Sequence, residues 1–300
     1  MRDPQPGSPS APAPPELTAT ALARITELAH REAGLHIPPA KAAMVRTRLI
    51  RRLRLLRCGD FDAYCDLVDS PAGRDELATM ISSLTTNVSH FFRENHHFEV
   101  FRAKALPALI DAARGGRRVR IWSAGCSNGQ EPYSIAMTML EAGMPRDADV
   151  RVLGTDIDPN VVNFAKAAQY PGPMLANVPD HLRDRYFDPI DADPDGALAA
   201  GSALRDITRF RVLNLISAWP MRGQFDAIFC RNVVIYFDQP TQDRLWPRFA
   251  RALNPDGWLF LGHSERVSEH AGRFFRSVGI TAYERTSAEV PASTPELEPQ

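Results

Sequence analysis

The sequence predicts an α/β protein. An all-helical N-terminal domain precedes a Rossmann-like domain with a mostly parallel sheet and a small antiparallel β insertion. Three observations lead there. From Glu16 to about Leu84 apolar residues recur at helical spacing. From about Arg117 onward, short runs rich in Val, Ile and Phe alternate with longer helix-like stretches, the rhythm of parallel strands joined by crossover helices. Between residues 182 and 213 that rhythm fails, and Asp-Gly and Gly-Ser punctuation there reads as a small antiparallel insertion.

In chain order, residues 1–15 are rich in Pro, Ser and Ala and are expected to form a disordered arm, as is the tail 286–300. Residues 16–88 form the helical domain. Its run "PPAKAAMVRTRLIRRLRLLRCG" starts after prolines and stops at Gly59, as helix boundaries do. Val45, Leu49, Leu53 and Leu56 share one face, while Lys41, Arg48, Arg51, Arg52 and Arg54 spread over the other as a basic, exposed surface. Residues 89–116 form a linker and lead-in helix, and 117–285 the sheet domain, with strands at "RVRIW", "VRVLGTDI", "FDAIFC", "GWLFLG" and "ITAYE".

The 300 residues carry 35 basic and 36 acidic side chains, so the chain as a whole is no polyanion-binding surface and no nucleic acid partner is expected. No apolar run approaches the ~18 residues of a spanning helix, which excludes direct membrane insertion by a helix. Cys58, Cys65, Cys126 and Cys230 form no CxxC pair. With no secretory leader recognisable, a reducing cytoplasm is the expected compartment.

Four stretches carry chemistry. In "RVRIWSAGCSNGQEPYSIAM", Gly125 and Gly129 permit a sharp strand-to-helix turn, with Pro132 placed at the first helical position. A helix N-terminus attracts phosphate, but Glu131 in that turn repels it and suits a cationic amine. In "LGTDIDP", an acid ends the second strand, where ribose hydroxyls are commonly bound. Asp156 is the candidate for that role and Asp158 for the helix cap. A nucleoside bearing an amino-acid end satisfies both sites, and S-adenosylmethionine fits. In "FDAIFCRNVVIYFD", a buried strand runs into Arg231 and Asn232 at its C-terminal end, with Tyr236 beyond. In "SSLTTNVSHFFRENHHFEVF", short polar residues adjoin Phe91, Phe92 and Arg93. The adjacent His96 and His97 are poorly disposed to chelate one ion from one helix face, so they read as structural or solvent-facing and no metal is expected.

"SLTTNVSHFFRE", "IWSAGCSNGQEPYSIAM", "TDID", "FDAIFCRNVVIYFD" and the trailing "GWLFLGHSE" occur in the order seen in the CheR family of chemotaxis receptor methyltransferases, which the chain resembles from about residue 17 to 285. The resemblance implies a class I methyltransferase that uses S-adenosylmethionine, releases S-adenosylhomocysteine and esterifies glutamates on the cytoplasmic helical bundle of chemoreceptors. It implies that Glu131 holds the methionine end of the cofactor and Asp156 the ribose, beside the turn at Gly125. Asn214 and Leu215 would line the adenosine pocket, Asn87, Ser89 and Arg93 would close over the cofactor, and Arg231, Asn232 and Tyr236 would adjoin the transfer site. Arg93, Tyr236 and Arg231 are the catalytic candidates. Lys41, Arg48, Arg51, Arg52 and Arg54 correspond to the face that meets the receptor. The enzyme is expected to be monomeric and cytoplasmic, recruited to receptor arrays.

Two departures from the family pattern, Ser89 for Thr and Gln130 for Glu, keep hydrogen-bonding capacity. The segment "DPIDADPDGALAAGS" is acidic and lacks closely spaced glycines, which argues against tethering of a receptor tail peptide there. A competing class is a cofactor-binding scaffold without transfer activity, against which Glu131, Asp156, Arg93 and Tyr236 count. A nucleic-acid methyltransferase would carry an Asn/Asp-Pro-Pro-aromatic turn where this chain has Asn232-Val-Val-Ile-Tyr236.

Overall fold

The computed structural model describes residues 15–190 and 196–290. Its contacts divide into two compact units, one containing Ile37–Leu84 and the chain up to Glu32, the other Ala33–His36 and everything from Thr85.

The first unit holds α1 (Ala19–Ala33), α2 (Ala42–Leu56), α3 (Phe61–Val68) and α4 (Arg74–Leu84). In α2, Val45, Leu49 and Leu53 are buried, but Leu56 is 38% exposed, because the helix ends there and Arg57 turns left-handed at φ 56°. The stop therefore comes at Arg57, two residues before Gly59. The basic face also differs from the expectation. Arg52 forms an ion pair with the buried Glu76, whose carboxylate also accepts a 2.8 Å bond from the Tyr64 hydroxyl. Arg48 donates to the Leu84 carbonyl at 2.8 Å, closing the C-terminus of α4. Lys41, Arg51 and Arg54 are exposed.

The second unit opens with α5 (His96–Val100), a π-helical turn (Phe101–Ala105) and α6 (Leu106–Arg114). Then come β1 (Val119–Ala124), α7 (Gln130–Glu141), β2 (Val150–Asp156) and α8 (Pro159–Ala167). A small sheet follows, made of β3 (Gln169–Tyr170), β4 (Phe187–Pro189) and β5 (Leu198–Ala200), with α9 (Asp180–Tyr186) among them. α10 (Ser202–Arg205) leads back to β6 (Thr208–Val212), and β7 (Phe225–Cys230), α11 (Gln239–Ala252), β8 (Leu253–Leu261), β9 (Phe275–Gly279) and β10 (Ala282–Arg285) complete the chain.

The main sheet has seven strands in the order β6-β2-β1-β7-β8-β10-β9, parallel except for β10. Its central strands are apolar on both faces, as parallel strands covered by helices must be; all six residues of β7 are buried. The strand order reverses between β1 and β7, and the crevice beyond the C-terminal ends of these two strands is where an open α/β sheet binds ligands.

The insertion lies earlier than expected. The antiparallel sheet pairs β3 with β5 and β5 with β4, all between residues 169 and 200, whereas Thr208–Val212 runs parallel to β2 in the main sheet. The reason is that β6 is an edge strand, and its alternating burial imitates an antiparallel ribbon. The expected arm 1–15 lies outside the described residues except for Pro15, as do residues 191–195 of the acidic loop. The tail expected to be disordered from residue 286 is ordered as far as Val290, and its remainder, 291–300, lies outside the described residues. Thr286 donates its amide to Phe274 O at 2.9 Å, and Ala288 and Val290 pack on the core.

The turn after β1 brings the chain to the switch point. Gly125 and Gly129 take φ of 88° and 87°, a region that L residues avoid. α7 begins at Gln130, so Pro132 is its third residue; Pro is tolerated anywhere in a first turn, where amides have no intrahelical acceptor. A Cβ on Gly125 would lie 2.3 Å from Cγ2 of Val233. Gly125→Ala is therefore expected to cost about 1–3 kcal/mol of strain, read as a lowered thermal midpoint, together with weakened ligand binding in the crevice.

Candidate functional site

One cleft of about 960 Å3, including its open mouth, lies at the switch point. Asn87, Ser89, Arg93, Gly125, Glu131, Asp156, Asn214, Leu215, Arg231, Asn232 and Tyr236 all line it. The structure thus brings together every residue that the sequence named for the cofactor and for catalysis. The basic residues of α2 belong to the other unit.

The floor is the glycine turn, most of whose amides are occupied. Gly125 and Cys126 both donate to Thr155 O at 2.8 Å, Ser127 donates to Asp156 Oδ2 at 2.8 Å, and Gly129 to Cys126 O at 3.0 Å. A phosphate cradle needs such amides free. Here they fasten the end of β1 to the end of β2 instead. Asp156 also accepts from the Asp158 amide at 3.1 Å, and with two acceptor oxygens it retains lone pairs for hydroxyl donors. Asp158 caps α8 through the Asn160 amide and takes a 2.8 Å bond from Asn87 Nδ2. The Asn87 carbonyl in turn accepts from Ser127 Oγ at 2.9 Å. The segment after Thr85 is thereby pinned across both strand ends.

The opposite wall is built around Arg231, whose side chain is only 2% exposed. Its Nη1 lies 3.1 Å from Glu131 Oε2 and its Nη2 3.4 Å from Glu94 Oε2; Nη2 also donates to the Arg93 carbonyl. Ser123 Oγ donates to the other oxygen of Glu131 at 2.7 Å. Glu94 accepts in addition from Asn232 Nδ2 at 3.2 Å and lies 3.0 Å from His263 Nδ1. Two carboxylates share one guanidinium, so with both acids ionised and His263 neutral this cluster carries one negative charge.

The two acids respond differently. Burial pushes the Glu131 carboxyl up, against the opposing pull of Arg231 and Ser123. Burial also acts upward on Glu94, but Arg231, His263 and Asn232 outweigh it and bring the carboxyl to about 2. Burial likewise raises Asp156, against the hydrogen bonds from the amides of Asp158 and Ser127.

His97 is fully buried beneath Glu94, with Nε2 2.8 Å from Thr281 Oγ1; burial and then the charge of Arg231 lower its pKa to about 3. It is structural and not solvent-facing. Ligand atoms of Glu94, His96 and His97 lie within 4.8 Å of one another, and Arg231 already supplies the positive charge that Glu94 faces.

Sequence reasoning passed over Glu94, Ser123, Ser127, His263 and Glu265. Glu94 sits within "SLTTNVSHFFRE" and Glu265 within "GWLFLGHSE", but nothing in their spacing shows that both converge on Asn232.

A buried, net-negative cluster at one end of the cleft and a hydroxyl-accepting carboxylate at the other match a cofactor with a cationic amino-acid end and a ribose. The fold and site define an S-adenosylmethionine-dependent methyltransferase. Glu131 would hold the amino end and Asp156 the ribose. The chain belongs to the CheR family: residues 87–283 match the CheR methyltransferase SAM binding domain and residues 20–85 the CheR all-alpha domain. It is 45% identical over 260 residues to a probable chemotaxis protein methyltransferase of Rhizobium etli, covering 86% of this chain and 97% of that one. It is 42% identical to chemotaxis protein methyltransferase 2 of Pseudomonas aeruginosa, covering 87% of this chain and 91% of that one. It is 41% identical to the chemotaxis protein methyltransferase of Escherichia coli, covering 87% and 88% respectively.

Because burial raises Glu131 and a bound cation would stabilise its ionised form, cofactor affinity is expected to be full above that raised pKa and to fall as pH drops through it. Glu131→Gln should weaken binding and flatten this dependence. Calorimetric titration with S-adenosylmethionine across pH 4–7 measures both.

Proposed function

We propose that the methyl acceptor is the side-chain carboxylate of glutamates on the cytoplasmic helical bundle of chemoreceptors, so that the enzyme sets receptor adaptation. The observation that carries this reading is that the two carboxylates lining the cleft, the candidates for a general base, already accept hydrogen bonds from the protein itself. Glu131 is bonded to Arg231 and Ser123, and Asp156 to two backbone amides. A glutamate, with a pKa near ~4.3, is already ionised at pH 7 and needs none. The chemotaxis methyltransferase names of relatives covered over most of their length support the same acceptor.

When bound, S-adenosylmethionine supplies an electrophilic sulfonium methyl, to which a carboxylate oxygen bonds as the thioether leaves. The chain's own residues contribute positioning and exclusion of water, and a well-oriented pair of reactants is worth roughly 7–11 kcal/mol. Arg93 lines the cleft with one guanidinium nitrogen 3.0 Å from the Val88 carbonyl, which orients the group. Its remaining donors suit a substrate carboxylate by charge-assisted hydrogen bonding. Tyr236 lines the same cleft, and its carbonyl is held by the His36 amide at 2.8 Å.

Docking is assigned to Lys41, Arg51 and Arg54, the exposed part of the basic face, against an acidic receptor surface. Arg48 and Arg52 support the helical unit from within. Among the described residues no helix is long and apolar enough to cross a membrane; the proposed setting is the cytoplasmic side of receptor arrays, with the enzyme monomeric and a tail-peptide tether disfavoured by the acidic segment with few glycines.

Arg93→Ala is expected to lower methyl transfer to a receptor cytoplasmic fragment about 10- to 100-fold, the loss of one charged hydrogen bond, with cofactor affinity within about threefold. Base-labile label from radioactive S-adenosylmethionine on the fragment is the readout, and transfer near the wild-type rate removes Arg93 from the mechanism. Reversing Arg51 and Arg54 to Glu should raise the receptor KM by about tenfold at low salt while leaving kcat in place. An unchanged KM refutes the docking face.

A further inference from the structure

The loop that delivers Arg231 to the cleft is held by a carboxylate with no role in the chemistry described above. Glu265 is 3% exposed and accepts four backbone amides. Oε2 takes Asn232 at 2.9 Å and Gly262, and Oε1 takes Val233 at 2.8 Å and Ile235 at 3.2 Å. A buried carboxylate is costly unless its oxygens are bonded, and here each oxygen accepts two amides. The fit is close: a Cβ on Gly262 would lie 2.8 Å from Glu265 Oε2 and 2.5 Å from Asn232 Nδ2.

What the carboxylate holds is strained. Asn232 sits at φ 59°, uncommon for a residue other than glycine. That turn sends the Arg231 side chain toward Glu131 on one side and returns Tyr236 to the same cleft on the other. Through Asn232 Nδ2 the loop also reaches Glu94, and the backbone there is strained as well: Phe92 and Glu94, on either side of Arg93, take φ of 53° and 54°. Strained turns at Arg93 and Asn232 are therefore latched to each other through one asparagine, and Glu265 anchors that asparagine from behind.

We infer that Glu265 is a positioning residue for methyl transfer: by binding the amides of Asn232, Val233 and Ile235 it fixes the turn that sets Arg231 and Tyr236 against the cofactor and, through Asn232 and Glu94, the turn that carries Arg93. The inference rests on reading the cleft as the methyl-transfer site. Glutamine cannot replace the carboxylate, since it offers one oxygen and turns an NH2 donor toward amides that are themselves donors.

The test compares wild type with Glu265→Gln by two readouts. In the first, transfer of radioactive methyl from S-adenosylmethionine to a purified receptor cytoplasmic fragment is scaled to sites that bind S-adenosylhomocysteine. kcat per site is expected to fall about 10- to 100-fold, the scale of a small misplacement of reacting groups, with KM for S-adenosylmethionine within about threefold. A kcat per site within twofold of wild type overturns the inference, and so does a loss fully explained by weaker cofactor binding. In the second, amide hydrogen exchange with S-adenosylhomocysteine bound should accelerate at least tenfold at Asn232, Val233 and Ile235 but not in β1 or α7. Unchanged exchange at the three amides also overturns it. If wild type itself transfers no methyl to the fragment, the receptor reading fails while the exchange readout still decides on Glu265. Should Glu265→Gln not fold, Glu265→Asp, which keeps the charge but falls a methylene short of the amides, is held to the same criteria.

Discussion

Arg231 is the constraint on which the site is built. A guanidinium that is 2% exposed needs compensating charge, and it finds two carboxylates, Glu94 from the segment before α5 and Glu131 from the first turn of α7. Removing either would leave a buried charge poorly matched, an imbalance far larger than any surface ion pair could supply. Its other contacts follow from that position: Nη2 reaches the Arg93 carbonyl, and the guanidinium carbon lies 5.5 Å from the centre of the Phe98 ring. A single side chain at the end of β7 thus ties together the three segments that make the wall of the cleft.

The same arrangement sets the preference of the cleft for a cation. One guanidinium between two acids leaves a negative charge in a poorly hydrated place, and Asp156 adds another at the far side of the glycine turn. The turn itself offers no compensating ring of free amides, because Gly125, Cys126 and Ser127 spend theirs on the end of β2. A phosphate-rich cofactor would meet carboxylates with few donors to oppose them, whereas a sulfonium with an ammonium group meets a complementary field. Selection among nucleosides thus rests on where backbone amides point as much as on which side chains are present.

The core of the fold was legible because its strands are short apolar runs with no competing pattern: "FDAIFC" is β7 residue for residue, "RVRIW" covers the first four residues of β1 and "GWLFLG" the last five of β8. β6 was misplaced because "TRFRV" alternates as a half-exposed edge strand does, and alternation does not reveal which sheet a strand joins. The basic face of α2 was over-read for a similar reason. A helical wheel puts Arg52 on the outside but cannot see Glu76 arriving from another helix to pair with it.

The sequence by itself determined the kinds of groups that a ligand would meet: a glycine turn followed by an acid, an acid closing the next strand, and an arginine closing a buried one. These are local properties, set by backbone freedom at Gly125 and Gly129 and by the ends of apolar runs. Only the tertiary structure decided how those groups are charged and held. Glu94, Arg231 and Glu131 are far apart in the chain, and so are Asn232 and Glu265. Their distances, and the four amides gathered on one buried carboxylate, are fixed by the strand order that places β7 between β1 and β8. Long-range register decides electrostatics, because Coulomb energy depends on separation and on exclusion of water, neither of which a linear pattern contains.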